Sequence, residues 1–487
     1  MSKLVSNYIF NTMYQFLILI LPFLSTPYVA RVLSPQGIGI SSYTTSVVQV
    51  FMFFAILGIQ VYGNRQVALV KHKGKKELSK QFCSIYSIQF FSSIIMIIVY
   101  MLFVNYYVET NKHIFLIQTL AIIGVLLDIS WLFIGLEELK KVVTRNALIK
   151  LTSVLLIFIL VKEPKDLYLY VLINVVSNII GQLIMWLQIS KYIVLTPIKI
   201  SYVMEHIKPM IMIFLPLIFI QLYTVYNKVV LGVTAGNVDV GFYDQALKVV
   251  QLTLAIVTSL GTVMLPRISS EYAKGNYDNI NRYINRILRF VLFITMPMCI
   301  GLISISAQFI PWFLGTGYSE VVVLIRIISP IIIFIGCANV FGMQILIPTQ
   351  QQRKYTIAVA SGAIMSVITN ICLVNSLGSI GTAIALLMAE GIGVLIQGIF
   401  VRSFIEFKSV LRYAYKYLLA SVFMGGVVLS IGKLVNSSGV LVILVQISTA
   451  IIVYVILMIV IKDELFILIL KKIYQLFKLN KINLTKR

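Results

Sequence analysis

Long apolar runs separated by short polar gaps dominate this chain. A helix crossing the hydrocarbon core of a membrane needs roughly 20 apolar residues, and windows of that kind fall at 7–29, 40–62, 82–104, 114–136, 146–161 and 167–189. A second six follow at 210–233, 242–265, 287–305, 322–346, 355–375 and 380–401, and two more at 417–435 and 440–461. The pattern predicts an all-α membrane protein with about fourteen transmembrane helices. Composition agrees: 59% of the 487 residues are apolar, 12% are charged and the mean hydropathy is +0.97. A soluble chain, which must cover its surface with polar groups, is excluded.

A formal net charge of +23 would suggest nucleic acid in a soluble protein. Its placement argues otherwise. With the N-terminus inside, 31 of the 40 Lys and Arg residues fall in alternate gaps, whereas the intervening gaps hold four: Arg31, Lys112, Lys162 and Lys165. Cytoplasmic loops carry that excess, so the sequence predicts a multi-pass protein of the cell (plasma) membrane, both termini cytoplasmic, with membrane lipids rather than nucleic acid around it. The first apolar run, with small residues around Ala30, resembles a secretory signal, but thirteen further spans predict that it is kept as the first helix. After Ile461, apolar residues alternate with Lys471, Lys472, Lys478, Lys481, Lys486 and Arg487. That suits either a helix lying on an anionic inner leaflet or a solvated tail that sets topology.

An offset of 202 residues relates the two sets of six without a gap. It superposes Gly39 on Gly241, Val47-Val48-Gln49 on Val249-Val250-Gln251, Arg65 on Arg267 and Lys80 on Arg282. Six is an even number, so both halves enter from the same side and are expected to be related by a pseudo-two-fold axis along the membrane normal. The predicted organisation is an N-lobe over 1–203 (helices 1–6), a C-lobe over 204–409 (helices 7–12), and helices 13–14 with a basic cytoplasmic tail over 410–487.

Reaction chemistry finds little support. No phosphate-binding GxxxxGK[ST] loop occurs, the three histidines at 72, 113 and 206 are isolated, and Cys83, Cys299, Cys337 and Cys372 stand singly with no metal or disulfide spacing. The longest outer gap, between Ser306 and Glu320, is too short to house an enzyme site. The expectation is no catalytic residue, no cofactor and no metal. Lys462-Asp463-Glu464-Leu465 spells a retention signal but is internal, whereas such signals are read at the C-terminus.

Charges inside spans are informative because each costs about 2.5 to 3.5 kcal/mol at the membrane centre. Lys228, Lys248, Arg326 and Arg31 gather in depth toward the outer side. They read either as a cationic lining for an anionic group such as phosphate, or as side chains snorkelling to the interface. Asp128, Asp244 and Glu390 are candidates for binding a coupling ion. Asp244 and Lys248 also suit a structural ion pair at i,i+4, and Glu390 adjoins the small residues Gly381, Ala385, Ala389 and Gly393, spaced for close helix packing. Asn7, Asn11 and Gln15 put three amides on one helix face, which suits a watery cavity or a neighbouring helix. Pro22, Pro27 and Pro216 can bend the helices that open each lobe.

These residues resemble a known family. Pro27-Tyr28-Val29-Ala30-Arg31-Val32-Leu33-Ser34-Pro35 with Gly37 and Gly39 looks like the loop after helix one in the oligosaccharide flippases of the polysaccharide export group, often called Wzx. Those belong to a superfamily with MATE-type multidrug exporters and the lipid II flippase. Leu231-Gly232, Val240-Gly241-Phe242-Tyr243, Ala246 and Lys248 look like the counterpart in the second lobe. Gln344-Ile345-Leu346-Ile347-Pro348, Asn370, Gly378, Gly381 and Glu390 follow the family pattern over helices ten to twelve. The resemblance covers about the first 400 residues. In two departures, Asn227 stands where many relatives have Asp before Lys228, and Ser34 replaces a common Gly.

The resemblance implies a transporter for a polyprenyl-pyrophosphate-linked oligosaccharide repeat unit, turned from the inner to the outer leaflet for capsule or other surface polysaccharide assembly, working with other polysaccharide assembly proteins. Lys228 and Lys248 would hold the pyrophosphate, Asn11 and Gln15 would shelter the sugar, and the lobes would rock by alternating access. One alternative is a MATE-like exporter of small cations, which calls for acidic cavity residues. Another is a membrane-embedded polymerase or ligase, which calls for a sizeable outer loop.

The charge asymmetry makes a prediction about sidedness. In a cysteine-free background, a single Cys at Glu109 should react with an impermeant maleimide added outside intact cells, and one at Lys76 should react only after permeabilisation; the reverse pattern would invert the topology.

Overall fold

A computed structural model of the protein describes residues 3–194, 196–258, 271, 274, 277–435, 439–468 and 470–471, without the side chains of 3–19, 215–217, 220, 222, 255–258, 277 and 278. The described elements are helical. They are α1 (Lys3–Ile56), α2 (Ile59–Val70), α3 (Lys75–Tyr107), α4 (Lys112–Leu126), α5 (Ser130–Gly135), α6 (Leu139–Leu160), α7 (Leu167–Trp186), α8 (Ile200–Thr234) and α9 (Asn237–Thr258). Then follow α10 (Tyr277–Phe313), α11 (Ser319–Ile328), α12 (Ile331–Ala338), a π-helical stretch (Asn339–Leu346), α13 (Gln352–Phe400), α14 (Phe407–Val435) and α15 (Val440–Val460). Ten described stretches are long and apolar enough to cross a membrane. The fourteen windows lie mostly on helix: those over 40–62, 114–136 and 322–346 are interrupted at 57–58, 127–129 and 329–330, and the one over 242–265 is described only to 258. The outer gap expected over 306–320 shrinks to 314–318, because α10 runs on to Phe313. The basic tail beyond 471, and Arg267 of the repeat, lie outside the described residues.

Two of these helices are double. α1 turns at Ser34 (φ 60, ψ 169) into limbs 3–33 and 35–56, and α13 turns at Gly378 (φ 53, ψ −127) into limbs 352–377 and 379–400. Pro35 disfavours helical backbone at the residue before it, and Ser34 answers by entering the positive-φ region where glycine is the easier occupant. The common Gly of the family pattern is thereby explained, and Ser34 is a strained substitute.

The chain divides into two compact units, one of residues 1–245, 314–318 and 359–389, the other of residues 246–313, 319–358 and 390–487. In the first unit, Gly39 and Gly241, the pair matched by the 202-residue offset, meet directly. A Cβ on Gly39 would fall 1.6 Å from the carbonyl oxygen of Asn237, and one on Gly241 would fall 2.2 Å from that of Pro35. Asn237 and Pro35 differ by the same offset, so the contact is reciprocal. The matched Val47, Val48, Val249 and Val250 are all buried, and Gln49 and Gln251 are both exposed. Also in this unit, Trp131 of α5 stacks on Phe82 with ring centroids 5.4 Å apart, in a core with Ile59, Tyr62 and Met185. Gly63 of α2 has to be glycine for this, since its Cβ would lie 2.6 Å from the indole.

The second unit is clamped at one end by charge. Arg289 of α10 donates to Asp463 at 2.8 Å and to Glu464 at 3.1 Å, and lies over the Tyr413 ring at 3.8 Å. The Tyr417 hydroxyl donates to the same Asp463 carboxylate at 3.1 Å, whose other oxygen caps the Phe466 amide at 3.0 Å. The stretch that spells a retention signal is thus a structural joint between α10, α14 and the segment after α15. Burial opposes the Asp463 charge, but the hydrogen bonds from Arg289, the Phe466 amide and Tyr417, with the Arg289 charge, together outweigh it and hold the carboxyl below the usual carboxylate range.

Asp463→Asn removes the charge facing a side chain only 12% exposed and should cost about 3 kcal/mol, read as a lower Tm in detergent. Glu464→Gln, at a side chain 81% exposed, should cost less than about 1 kcal/mol. A depressed folded pKa stabilises above the unfolded-state value, so the contribution of Asp463 should be full at neutral pH and fade as pH falls below about 4.

Candidate functional site

The first unit carries an open polar cavity of ≈590 Å³. Two interruptions of the chain make it. Between α1 and α2 the backbone turns at Leu57 (φ 44) and Gly58 (φ 74), and between α4 and α5 it leaves helix at residues 127–129. A broken helix at membrane depth is tolerated only where its freed backbone groups are paired or face a water-filled cavity. Here they are paired: Gln89 of α3 donates to the carbonyls of Val125 (2.6 Å) and Asp128 (2.8 Å), Trp186 to that of Leu127 (2.8 Å) and Tyr86 to that of Leu126 (3.3 Å). Gln89 is itself held by the Trp131 indole N–H at 3.1 Å.

Asp128 sits in this break, 8% exposed. One carboxylate oxygen accepts the Ser130 amide at 2.9 Å and the other accepts Gln60 Nε2 at 3.0 Å, so a single side chain ties the two interruptions together. Across the lining, Arg145 of α6 donates through Nη1 to Gln182 Oε1 at 2.7 Å and through Nε to Asn146 Oδ1 at 2.9 Å. Gln49 from the 35–56 limb, Asn178 from α7 and Gln221 from α8 complete the polar wall; Met52, Phe53, Ile56 and Val142 supply apolar surface. Amides that donate and accept, one carboxylate and one guanidinium suit a polyhydroxylated, anionic group: hydroxyls exchange hydrogen bonds with amides, and the guanidinium fork matches phosphate oxygens. Among the described residues, no group of three His, Cys, Asp or Glu could hold a metal ion.

Among the candidate site residues whose side chains are described, Asp128 lines this cavity and the others do not. Asp244 is hydrogen-bonded to Lys228, an ion pair with both side chains largely buried (6% and 18% exposed); Lys228 thus finds a carboxylate despite the Asn at 227. That Asn227 donates to Ser366 at 3.0 Å, and Thr382 donates to Asn370 at 2.9 Å, leaving Asn227 Oδ1 and Asn370 Nδ2 buried without partners. Arg31 is exposed, its stem beside Gly315, where a Cβ would stand 3.1 Å away. In the second unit, Arg326 is exposed and donates to Ser306 at 3.3 Å, while Lys248 and Glu390 are half-buried. Of the small residues around Glu390, Ala385 and Ala389 are buried, and Gly381 packs where a Cβ would stand 2.6 Å from the Leu373 carbonyl. The side chains of Asn11, Gln15 and Pro216 lie outside those described.

Arg145 escaped the sequence reading because it stands in a basic gap, where the topology rule accounts for its charge. The signal that finds it is Asn146 beside it together with Asn174, Asn178 and Gln182, three amides at intervals of four in a mostly apolar helix.

Comparison with known proteins places these features in a family. The family model for polysaccharide biosynthesis proteins matches residues 4–272. The chain is 23% identical to the "Putative O-antigen transporter" of Escherichia coli (strain K12) over 401 residues, covering 79% of this chain and 93% of that protein. It is 24% identical to the lipid II flippase MurJ of Bacillus subtilis (strain 168) over 175 residues, 35% of this chain and 31% of that one. Among solved structures, a lipid II flippase MurJ in an inward closed conformation shares the fold with a TM-score of 0.75 and 19% identity, covering 94% of this chain and 99% of that one. An inward-facing MATE multidrug transporter gives a TM-score of 0.58 and 12% identity, covering 80% and 94%.

Asp128→Ala would strand both the Ser130 amide and the Gln60 side chain, so it should lower stability by about 1 to 3 kcal/mol. Asp128→Asn keeps an acceptor for Ser130 and should cost less. Thermal unfolding of the purified protein in detergent checks the order; equal Tm values for the two variants would show that the break is held by other groups.

Proposed function

Since the chain belongs to the polysaccharide biosynthesis protein family, we infer that it is a flippase that carries a lipid-linked oligosaccharide across the membrane. The observation that carries this reading is the polar cavity in an otherwise apolar helical unit, lined by amides and by Arg145. A sugar chain and a pyrophosphate cannot cross hydrocarbon unaided, because each unpaired polar group there costs several kcal/mol. A cavity that supplies hydrogen bonds removes that barrier while the lipid tail stays in the bilayer. No bond need be made or broken, so the protein acts as a transporter rather than an enzyme.

In the proposed cycle the cargo is a polyprenyl-pyrophosphate-linked repeat unit, taken from the inner leaflet of the cell membrane, with both termini of the chain cytoplasmic. Arg145 holds the pyrophosphate, and Gln60, Asn178, Gln182 and Gln221 bind the sugar. The lobes over 1–203 and 204–409 rock to expose the cavity to the other side, where Arg31, Lys228, Lys248 and Arg326 attract the head group and Asn11 and Gln15 shelter the sugar. Asp128, Asp244 and Glu390 are the proposed places for ion coupling, and the product passes to other polysaccharide assembly proteins.

The test is the sidedness of a fluorescent polyprenyl-pyrophosphate disaccharide in vesicles with and without the protein. Movement to the opposite leaflet should depend on the protein and fall at least about tenfold in Arg145→Ala, with unchanged Tm. Export of small organic cations without lipid movement would overturn the reading in favour of a drug exporter.

A further inference from the structure

Beside the polar cavity lies a second, apolar one of ≈170 Å³, set between the 35–56 limb of α1 and α8. Val50, Phe53 and Phe54 line it from one side and Ile218, Val225 and Val229 from the other. Its rings are fixed, since Phe53 stacks on Phe214 at 4.6 Å and Phe54 meets the same ring edge-on at 5.8 Å. Val50 and Phe54 are 39% and 43% exposed, so the slot faces outward as well as inward. Gln49, Phe53 and Gln221 line both spaces. The slot and the polar cavity are therefore adjoining compartments with a shared threshold of two amides and a phenyl ring.

An apolar slot within a bilayer is ordinary by itself, because lipid tails are as apolar as the side chains that line it. The threshold is what selects an occupant. Gln49 lies well inside the 35–56 limb, and Gln221 stands near the middle of the 35-residue α8, far from either helix end. A phospholipid resting in a leaflet keeps its head group at the membrane surface. Hydrocarbon that adjoins a polar chamber at this depth fits a lipid whose head group has been drawn into the protein.

We propose that this slot holds the isoprenoid segment next to the pyrophosphate while the head group occupies the polar cavity, with Gln49 and Gln221 at the junction. The proposal rests on the flippase reading above and adds a tail site between α1 and α8. Flat, methyl-branched isoprene units match a slot walled by stacked rings and β-branched side chains, and seating the first units there orients the head group toward Arg145.

Two measurements on the full-length protein in phosphatidylglycerol and phosphatidylethanolamine vesicles test this. First, Val50→Trp and Val225→Trp fill the slot from opposite sides; each should slow flipping of the fluorescent polyprenyl-pyrophosphate disaccharide at least about tenfold at wild-type Tm. Flipping at the wild-type rate in both would overturn the tail site and leave the function standing. Second, p-benzoylphenylalanine at the exposed Phe54 should, on irradiation, yield a protein adduct with the mass of unlabelled polyprenyl pyrophosphate. Adducts with phospholipid alone would overturn the proposal even if the Trp variants fail to fold. The adduct reads occupancy rather than movement, so a wild-type protein that forms it without flipping refutes the flippase reading and keeps the tail site.

Discussion

Water is absent from the core of a bilayer, and that absence governs this structure. A helix satisfies its own backbone, so an apolar chain can cross as often as it has residues to do so. Each departure from helix then needs partners supplied from elsewhere. The break at 127–129 meets this demand through the Gln89 amide, the Trp186 indole and the Tyr86 hydroxyl, three donors from two other helices. Those groups pair the freed carbonyls, while the Asp128 carboxylate, an acceptor only, faces the cavity and takes the Gln60 and Ser130 donors. The polar chamber depends on that arrangement.

The polar chamber and the apolar slot next to it are two adjoining environments within the first unit. Charge within the membrane is costly, and the cavity accommodates it by surrounding Asp128 and Arg145 with amides and hydroxyls that can donate or accept as an occupant requires. Such groups are pre-oriented by their neighbours: Gln182 and Asn146 position the Arg145 guanidinium, and Ser130 and Gln60 position the Asp128 carboxylate. A sugar bound there, as proposed, would exchange hydrogen bonds with water for hydrogen bonds with fixed partners, with little reorganisation on entry.

How much of this was legible in the sequence depends on how local the responsible signal is. The helices were legible, because apolar length is counted within one run, but the breaks at 57–58 and 127–129 inside two of the windows were not. The turns at Ser34 and Gly378 were legible as motif residues, though not as bends within continuous helices, since helix continuity is a matter of a few dihedral angles. The cavity was mostly hidden. Gln60, Asp128, Arg145 and Gln182 come from four segments whose convergence no periodicity reports, and the rule that explains basic loops absorbed Arg145. Asp463 was set aside as a meaningless signal, yet it joins three segments, because its partner Arg289 lies 174 residues away.

The contact between Gly39 and Gly241 shows what a sparse internal repeat can preserve. Few positions match at the 202-residue offset, and lipid-facing positions accept any apolar side chain. At this crossing a side chain does not fit: a Cβ on Gly39 would meet the Asn237 carbonyl and one on Gly241 the Pro35 carbonyl, residues also 202 apart. Without a hydrophobic drive between helices in lipid, close backbone approach is what holds them together. Here no side chain intervenes that could stretch or change rotamer. Any relative motion of the 35–56 limb and residues 237–245 would have to pivot on this crossing or part it cleanly.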